Sequence, residues 1–148
     1  GAKRMTYLAL RAGMNVAGGP WELKNCVLRG ANIPVVCVSG KGELSLADCF
    51  IGGYGMGMMD HGMLPGSATD GIIATEESSV SAVDCSFQHC GMWGAAALRA
   101  MGGSSCSLLR CFFFQNQYVH VSIHHKADVK LVECSLLQHG LAALMATL

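Results

Sequence analysis

Apolar and polar positions in this chain follow a grammar that recurs around five cysteines, Cys26, Cys49, Cys85, Cys111 and Cys134, spaced 23, 36, 26 and 23 residues apart. Five residues before each anchor stand Trp21, Leu44, Val80, Cys106 and Val129. Three before it stand Leu23, Leu46, Ala82, Leu108 and Leu131, and two after it Leu28, Ile51, Phe87, Phe113 and Leu136. All are apolar. Each pair of columns has the period of two that marks a strand, yet the pairs on either side of the anchor are out of phase. One corner just before the anchor reconciles them, turning the chain so that both strands point inward. The position before the anchor is mostly polar (Asn25, Asp48, Asp84, Arg110, Glu133), as a corner with unusual backbone angles prefers.

A third strand is expected 8 to 12 residues after each anchor. It carries Val36 and Val38, then Ala95 and Ala97, then Val119, Val121 and Ile123, and finally Ala142 and Leu144. Glycine breaks at Gly40, Gly42, Gly102 and Gly103 separate successive units. Three short strands per 23 to 26 residues make one coil of a single-stranded right-handed parallel β-helix, an all-β solenoid. About five coils are predicted, with part of a sixth in residues 5–16. The leucine-rich repeat signature is missing, and no window sustains a helical period. Residues 91–101 are the best helical candidate, and the alignment makes them strand. The Cys column becomes an internal ladder, since neighbouring coils stack about 4.8 Å apart.

Composition agrees with mutual covering of repeats. Of 148 residues, 51% are hydrophobic and only 14% charged, and the ten Lys and Arg balance the ten Asp and Glu. No basic stripe marks a nucleic-acid partner, and neither a membrane-spanning segment nor an attraction to anionic lipid is evident. Gly1 and Ala2 in place of an initiator Met point to a piece of a longer protein, here one β-helix domain over residues 1–148. The eight cysteines lie in apolar runs and form no CxxC pair. They read as reduced, buried thiols of a cytoplasmic or nuclear protein.

Candidate chemistry is sparse. The 36-residue spacing implies an insertion of about 13 residues within residues 52–71, rich in glycine and methionine. Tyr54, Met56, Met58, Met59, His61 and Met63 there form a candidate contact loop, because flexible thioethers beside glycines make an adaptable surface. Asp48 and Asp84 fall on adjacent coils, as the carboxylates of β-helix glycosidases do, but Arg110 and Glu133 continue the column and compensate it. Alternation puts His120 and His124 on the outer face, beside His125, as a solvated patch. His89, Cys90, Asn116 and His139 fall in a turn column. Neither a catalytic set, a metal site nor a cofactor motif emerges. Outward apolar residues flank the corner: Ala47, Val83, Leu109 and Val132 before it, Val27, Phe50 and Phe112 after it. Such a stripe suits a protein interface.

The segments LKNCVLRGANIPVVCVSGKG, LSLADCFIGG and VKLVECSLLQHGLAALM resemble right-handed β-helix repeats of the pectate-lyase-like superfamily. Within it they are most similar to the intracellular repeats of F-box and Shc-SH2-binding-type proteins. That resemblance implies a non-catalytic platform that recognises proteins, in some cases as a ubiquitin-ligase substrate receptor. The alternatives are a carbohydrate binder or polysaccharide-cleaving enzyme using Asp48 and Asp84, with Trp21 and Trp93 as the available tryptophans, and a module self-associating through uncapped terminal coils.

Overall fold

The computed structural model describes residues 4–54, 68–91, 94–138 and 140–147. Met56, Met58, Met59, His61 and Met63 of the candidate loop, together with Trp93 and His139, lie outside these. Two strands, β1 (Thr6–Leu10) and β2 (Met14–Val16), precede five three-stranded coils. The first coil holds β3 (Trp21–Lys24), β4 (Cys26–Gly30) and β5 (Val36–Val38); the second β6 (Glu43–Ala47), β7 (Phe50–Gly52) and β8 (Ile72–Ala74). The third holds β9 (Ser79–Val83), β10 (Ser86–Gln88) and β11 (Ala96–Ala100); the fourth β12 (Ser105–Leu109), β13 (Phe112–Phe114) and β14 (Val119–Ile123). The fifth is β15 (Asp128–Val132), β16 (Ser135–Leu137) and β17 (Ala142–Ala146). No helix occurs among the described residues.

Every strand pair is parallel, and the strands stack into three sheets. Sheet A is β1-β4-β7-β10-β13-β16, sheet B β2-β5-β8-β11-β14-β17 and sheet C β3-β6-β9-β12-β15. The chain is thus a parallel β-solenoid of about five coils. Its register reproduces the apolar columns: Leu44 pairs with Trp21 and Val80, and Ile51 with Leu28 and Phe87. Apart from Trp21, expected inward but 62% exposed on the first coil, these side chains fill a single core running along the axis, in which Phe87 and Phe113 stack at 4.6 Å between ring centroids.

The corner between sheets C and A lies where the polar column predicts it. Asn25, Asp48, Asp84, Arg110 and Glu133 all adopt left-handed angles, with φ between 51° and 55°. The amide at each of the first four corners donates to the carbonyl of the residue just before the next corner, as Asp48 does to Val83 at 3.0 Å. Asn and Asp tolerate this conformation; Arg and Glu take it because the ladder on either side holds the backbone there. Between sheets B and C a tight turn repeats, closed by Gly42 to Ser39, Ser78 to Thr75, Ser104 to Met101 and Ala127 to His124 hydrogen bonds. Its left-handed position is Gly40 or Gly102 in two coils, but Glu76 and His125 in the others.

Two further expectations need correction. In the third coil the sheet B strand begins at Ala96, and Ala96, Leu98 and Ala100 take the rungs of Val119, Val121 and Ile123, one residue out of step with the expected Ala95 and Ala97. The three extra residues of the 26-residue spacing enter before this strand, in the turn holding Gly91 and Gly94. His120, expected outward, is fully buried. Along sheet B two consecutive residues are buried in the first, third and fourth coils (Val35 and Val36, Ala97 and Leu98, His120 and Val121), which a straight strand forbids. The chain bends there and resets the alternation, so His120 meets Phe113 inside, its ring 5.9 Å away.

Candidate functional site

Sheet A carries the most chemically distinctive outer face. Alternation places Tyr7, Val27, Phe50, Ser86, Phe112 and Ser135 in one outward column, with Ala9, Arg29, Gly52, Gln88, Phe114 and Leu137 in the next. None of its strands contains a carboxylate. The rings of Phe112 and Phe114 stack on the surface at 5.6 Å, and the Arg29 guanidinium sits 4.4 Å from the centre of the Phe50 ring.

Arg29 also anchors the start of the insertion, donating from Nη1 to the Gly53 carbonyl at 2.8 Å. The next residue, Tyr54, is 46% exposed and lies beside Tyr7, itself 52% exposed. Partial desolvation and the neighbouring Tyr54 phenol push the Tyr7 phenol above its ordinary value, while Arg29 pulls the other way. The outward stripe and the candidate loop, separate features in the sequence, therefore meet at Tyr7, Arg29, Phe50 and Tyr54. His89, whose imidazole is held low by burial and by the Arg29 charge, borders the same area.

The insertion returns to the solenoid through a buried ion pair. Asp70 Oδ1 accepts from the Ala96 amide at 2.8 Å and from Arg99 Nε at 3.0 Å, and Arg99 Nη2 donates to the Gly94 carbonyl at 2.7 Å. This clamp ties the end of the long insertion to the start of the next sheet B strand and to its three-residue counterpart in the third coil. The sequence pattern gave no signal for it, since Asp70 and Arg99 lie 29 residues apart in unrelated contexts.

At the corner, Arg110 binds both carboxylate oxygens of Asp84, at 2.8 and 3.1 Å. Asp84 raises the Arg110 guanidinium above its ordinary value, with smaller help from Glu133 and Asp48. Asp84 is exposed and Asp48 half-buried, so this column is a solvated, charge-compensated ridge.

Inside sheet B, Asn116 joins two coils. Its Oδ1 accepts from the Cys90 amide at 3.0 Å; its Nδ2 donates to the Phe87 carbonyl at 3.1 Å and to His120 Nδ1 at 2.8 Å. Both amide hydrogens are then committed, so Nδ1 of His120 accepts and the imidazole is neutral with its proton on Nε2. On the outer side, His124 lies between Ser122 and Thr147, hydrogen-bonded to both hydroxyls. Burial holds its imidazole below the ordinary value, reinforced by Arg99 and His125.

Of the anchor cysteines, Cys26, Cys49, Cys85 and Cys111 are buried and Cys134 is half-buried, with no disulfide among the described residues. Burial pushes the isolated Cys90 and Cys106 thiols up, Cys106 to about 12. No family model, curated protein or solved structure matches the chain.

Proposed function

We propose that this chain is a non-catalytic protein-binding scaffold whose contact surface is the outer face of sheet A together with the insertion that begins at Tyr54. The observation that carries this reading is the meeting of Tyr7, Arg29, Phe50 and Tyr54 on a sheet face without carboxylates. Protein interfaces favour aromatic residues and Arg and are poor in acids, and flat parallel strands hold such anchors rigidly. The repeat grammar supports assignment to the intracellular β-helix repeats of F-box and Shc-SH2-binding-type proteins. Substrate reception for a ubiquitin ligase is the role this would imply, in the cytoplasm or nucleus. Met56, Met58, Met59, His61 and Met63 would extend the surface.

The test is affinity capture on the tagged chain, with binding partners identified and cross-linked residues mapped. The Phe112→Asp/Phe114→Asp variant and the Met58→Ser/Met59→Ser variant should each lose the partner while keeping the wild-type melting temperature. Capture that survives both removes the face and the loop from the proposal.

A second reading is a binder of neutral oligosaccharide, favoured by the same carboxylate-free aromatic platform with Arg29, Gln88, Ser86 and the two phenols as hydrogen-bonding groups. Titration with neutral oligosaccharides, followed by tyrosine fluorescence and compared with Tyr7→Ala, separates the two. Asp48 and Asp84 would be the acids of a cleaving enzyme, but the engagement of both Asp84 oxygens by Arg110 gives that version little support.

A further inference from the structure

Sheet A has a period across its coils as well as along its strands. Its register stacks the outward residues of the first column in the order Tyr7, Val27, Phe50, Ser86, Phe112 and Ser135. Aromatic side chains thus alternate with smaller ones from rung to rung. Tyr7 is exposed, and Phe50 and Phe112 are half-buried. The Phe112 ring stacks on Phe114, and the Arg29 guanidinium lies against the Phe50 ring, so two of these ridges are broadened across the face. Val27 and Ser86 floor the grooves between the ridges.

The spacing of the ridges selects the conformation of a segment that lies along them. Rungs are about 4.8 Å apart, so ridges on alternate rungs recur about every 9.6 Å. A polyproline II segment advances about 9.3 Å in each three-residue turn and presents every third residue to one side. From Tyr7 to Phe112 it falls out of step by only about 0.6 Å. An α-helix brings a residue back to the same face after about 10.5 Å, which accumulates about 1.8 Å over that span. An extended strand shows one side about every 6.8 Å, which fits neither one rung nor two.

The chemistry of the face agrees with its spacing. A polyproline II backbone makes no internal hydrogen bonds, so its carbonyls need outside donors. The Tyr7 phenol, the Ser86 hydroxyl and the Gln88 amide stand on these columns as such donors. The strands of sheet A carry Arg29 and no other charged side chain. The carboxylates of Asp48, Asp84 and Glu133 belong to the corner, beyond the first column on the sheet C side, whereas Arg29 belongs to the second column on the other. A segment seated between the two columns meets the positive charge of Arg29, which an acidic residue complements.

We propose that the partner of this face is a proline-rich segment in the polyproline II conformation that carries an acidic residue. This rests on the reading of sheet A as a protein contact surface and names the chemistry of what it contacts. Prolines three residues apart seat in the grooves over Val27 and Ser86, each between two aromatic side chains, and the acid faces Arg29.

The test is fluorescence anisotropy of labelled synthetic peptides titrated with the full chain. The probe has proline at every third position and one Glu. One control spaces the same residues four apart, and the other carries Lys in place of Glu. The wild type should bind the probe at least about tenfold more tightly than either control. Arg29→Gln should lose the preference for Glu over Lys and keep the preference for spacing. Ser86→Phe fills a groove without removing an aromatic ring and should cost at least about tenfold, as should Phe112→Ser, both with the wild-type circular dichroism spectrum. Equal affinity for the two proline spacings, no binding of the probe, or a Ser86→Phe variant that binds as well as the wild type would each overturn the proposal. A captured partner that needs Phe112 and Phe114 but has no proline-rich segment overturns the polyproline assignment alone. Capture that survives the Phe112→Asp/Phe114→Asp variant overturns the contact surface with it.

Discussion

Asp84 and Arg110 occupy the same left-handed corner on successive coils, joined by two hydrogen bonds of 2.8 and 3.1 Å. The pair shows how this solenoid treats a repeat position: the backbone conformation is fixed by the ladder, and the side chains then find partners one coil away. Being exposed, the pair is screened by salt. Asp84→Asn, which keeps a side chain suited to the left-handed corner, should lower the denaturation midpoint at low ionic strength, and the difference from wild type should shrink in molar salt.

The left-handed backbone itself can be tested at Asp48, where φ is 52°. Replacement by Ala keeps a Cβ in a conformation that costs about 1 kcal/mol or more, whereas Gly adopts it without that cost. Asp48→Ala should therefore be less stable than Asp48→Gly by about 1 kcal/mol in chemical denaturation. Equal stabilities would mean the corner relaxes.

Inward and outward aromatics on β13 should behave oppositely. Phe113, fully buried and stacked on Phe87, should cost about 3–5 kcal/mol when replaced by Ala. Phe112→Ser and Phe114→Ser, on the outer face, should each change stability by less than about 1 kcal/mol. Equilibrium unfolding of the three variants measures the difference.

Asn116→Ala strands the Cys90 amide, the Phe87 carbonyl and Nδ1 of His120 in a buried setting. Each lost partner costs about 1–3 kcal/mol, so a loss of at least about 3 kcal/mol is expected. Hydrogen exchange at the Cys90 amide should accelerate with it. Asn116→Asp should not rescue, because an ionised carboxylate cannot donate to the Phe87 carbonyl.

The last coil should loosen on acidification. Burial, Arg99 and His125 hold the folded-state pKa of His124 below its unfolded value, so the unfolded state binds more protons in this range. The contribution of His124 is fully present above the ordinary imidazole value of about 6.5 and is lost as pH falls through the lower, folded-state value. Amide protection in β17, which His124 touches through Thr147, should decline over that window. His124→Gln should flatten the decline; an unchanged pH profile would place the sensitivity elsewhere.

The repeat was legible because stacking makes it so. A residue two after the anchor must fill the same space in every coil, which keeps Leu28, Ile51, Phe87, Phe113 and Leu136 apolar and in one column. The corner could be read for the same reason, since a change of phase between two strands leaves one place for the chain to turn. His120 was misplaced because a bend within a strand leaves no mark on so short an apolar run: Val119 to Ile123 alternates correctly whether or not the chain turns at its middle. The Asp70–Arg99 clamp was invisible because an ion pair between two irregular loops belongs to no periodic column. Tyr54 was legible as part of the insertion, but its meeting with Tyr7 was not.

By itself, then, the sequence determined the solenoid, its coil length and the corner column, because each is repeated on successive coils and therefore constrained by its neighbours. The tertiary structure decided what occurs once: which way His120 points, how Asp70 and Arg99 close the insertion, and that Arg29 and Tyr54 bring that insertion onto the aromatic face of sheet A. Such contacts join residues whose separation along the chain follows no period, so only the folded path through space brings them together.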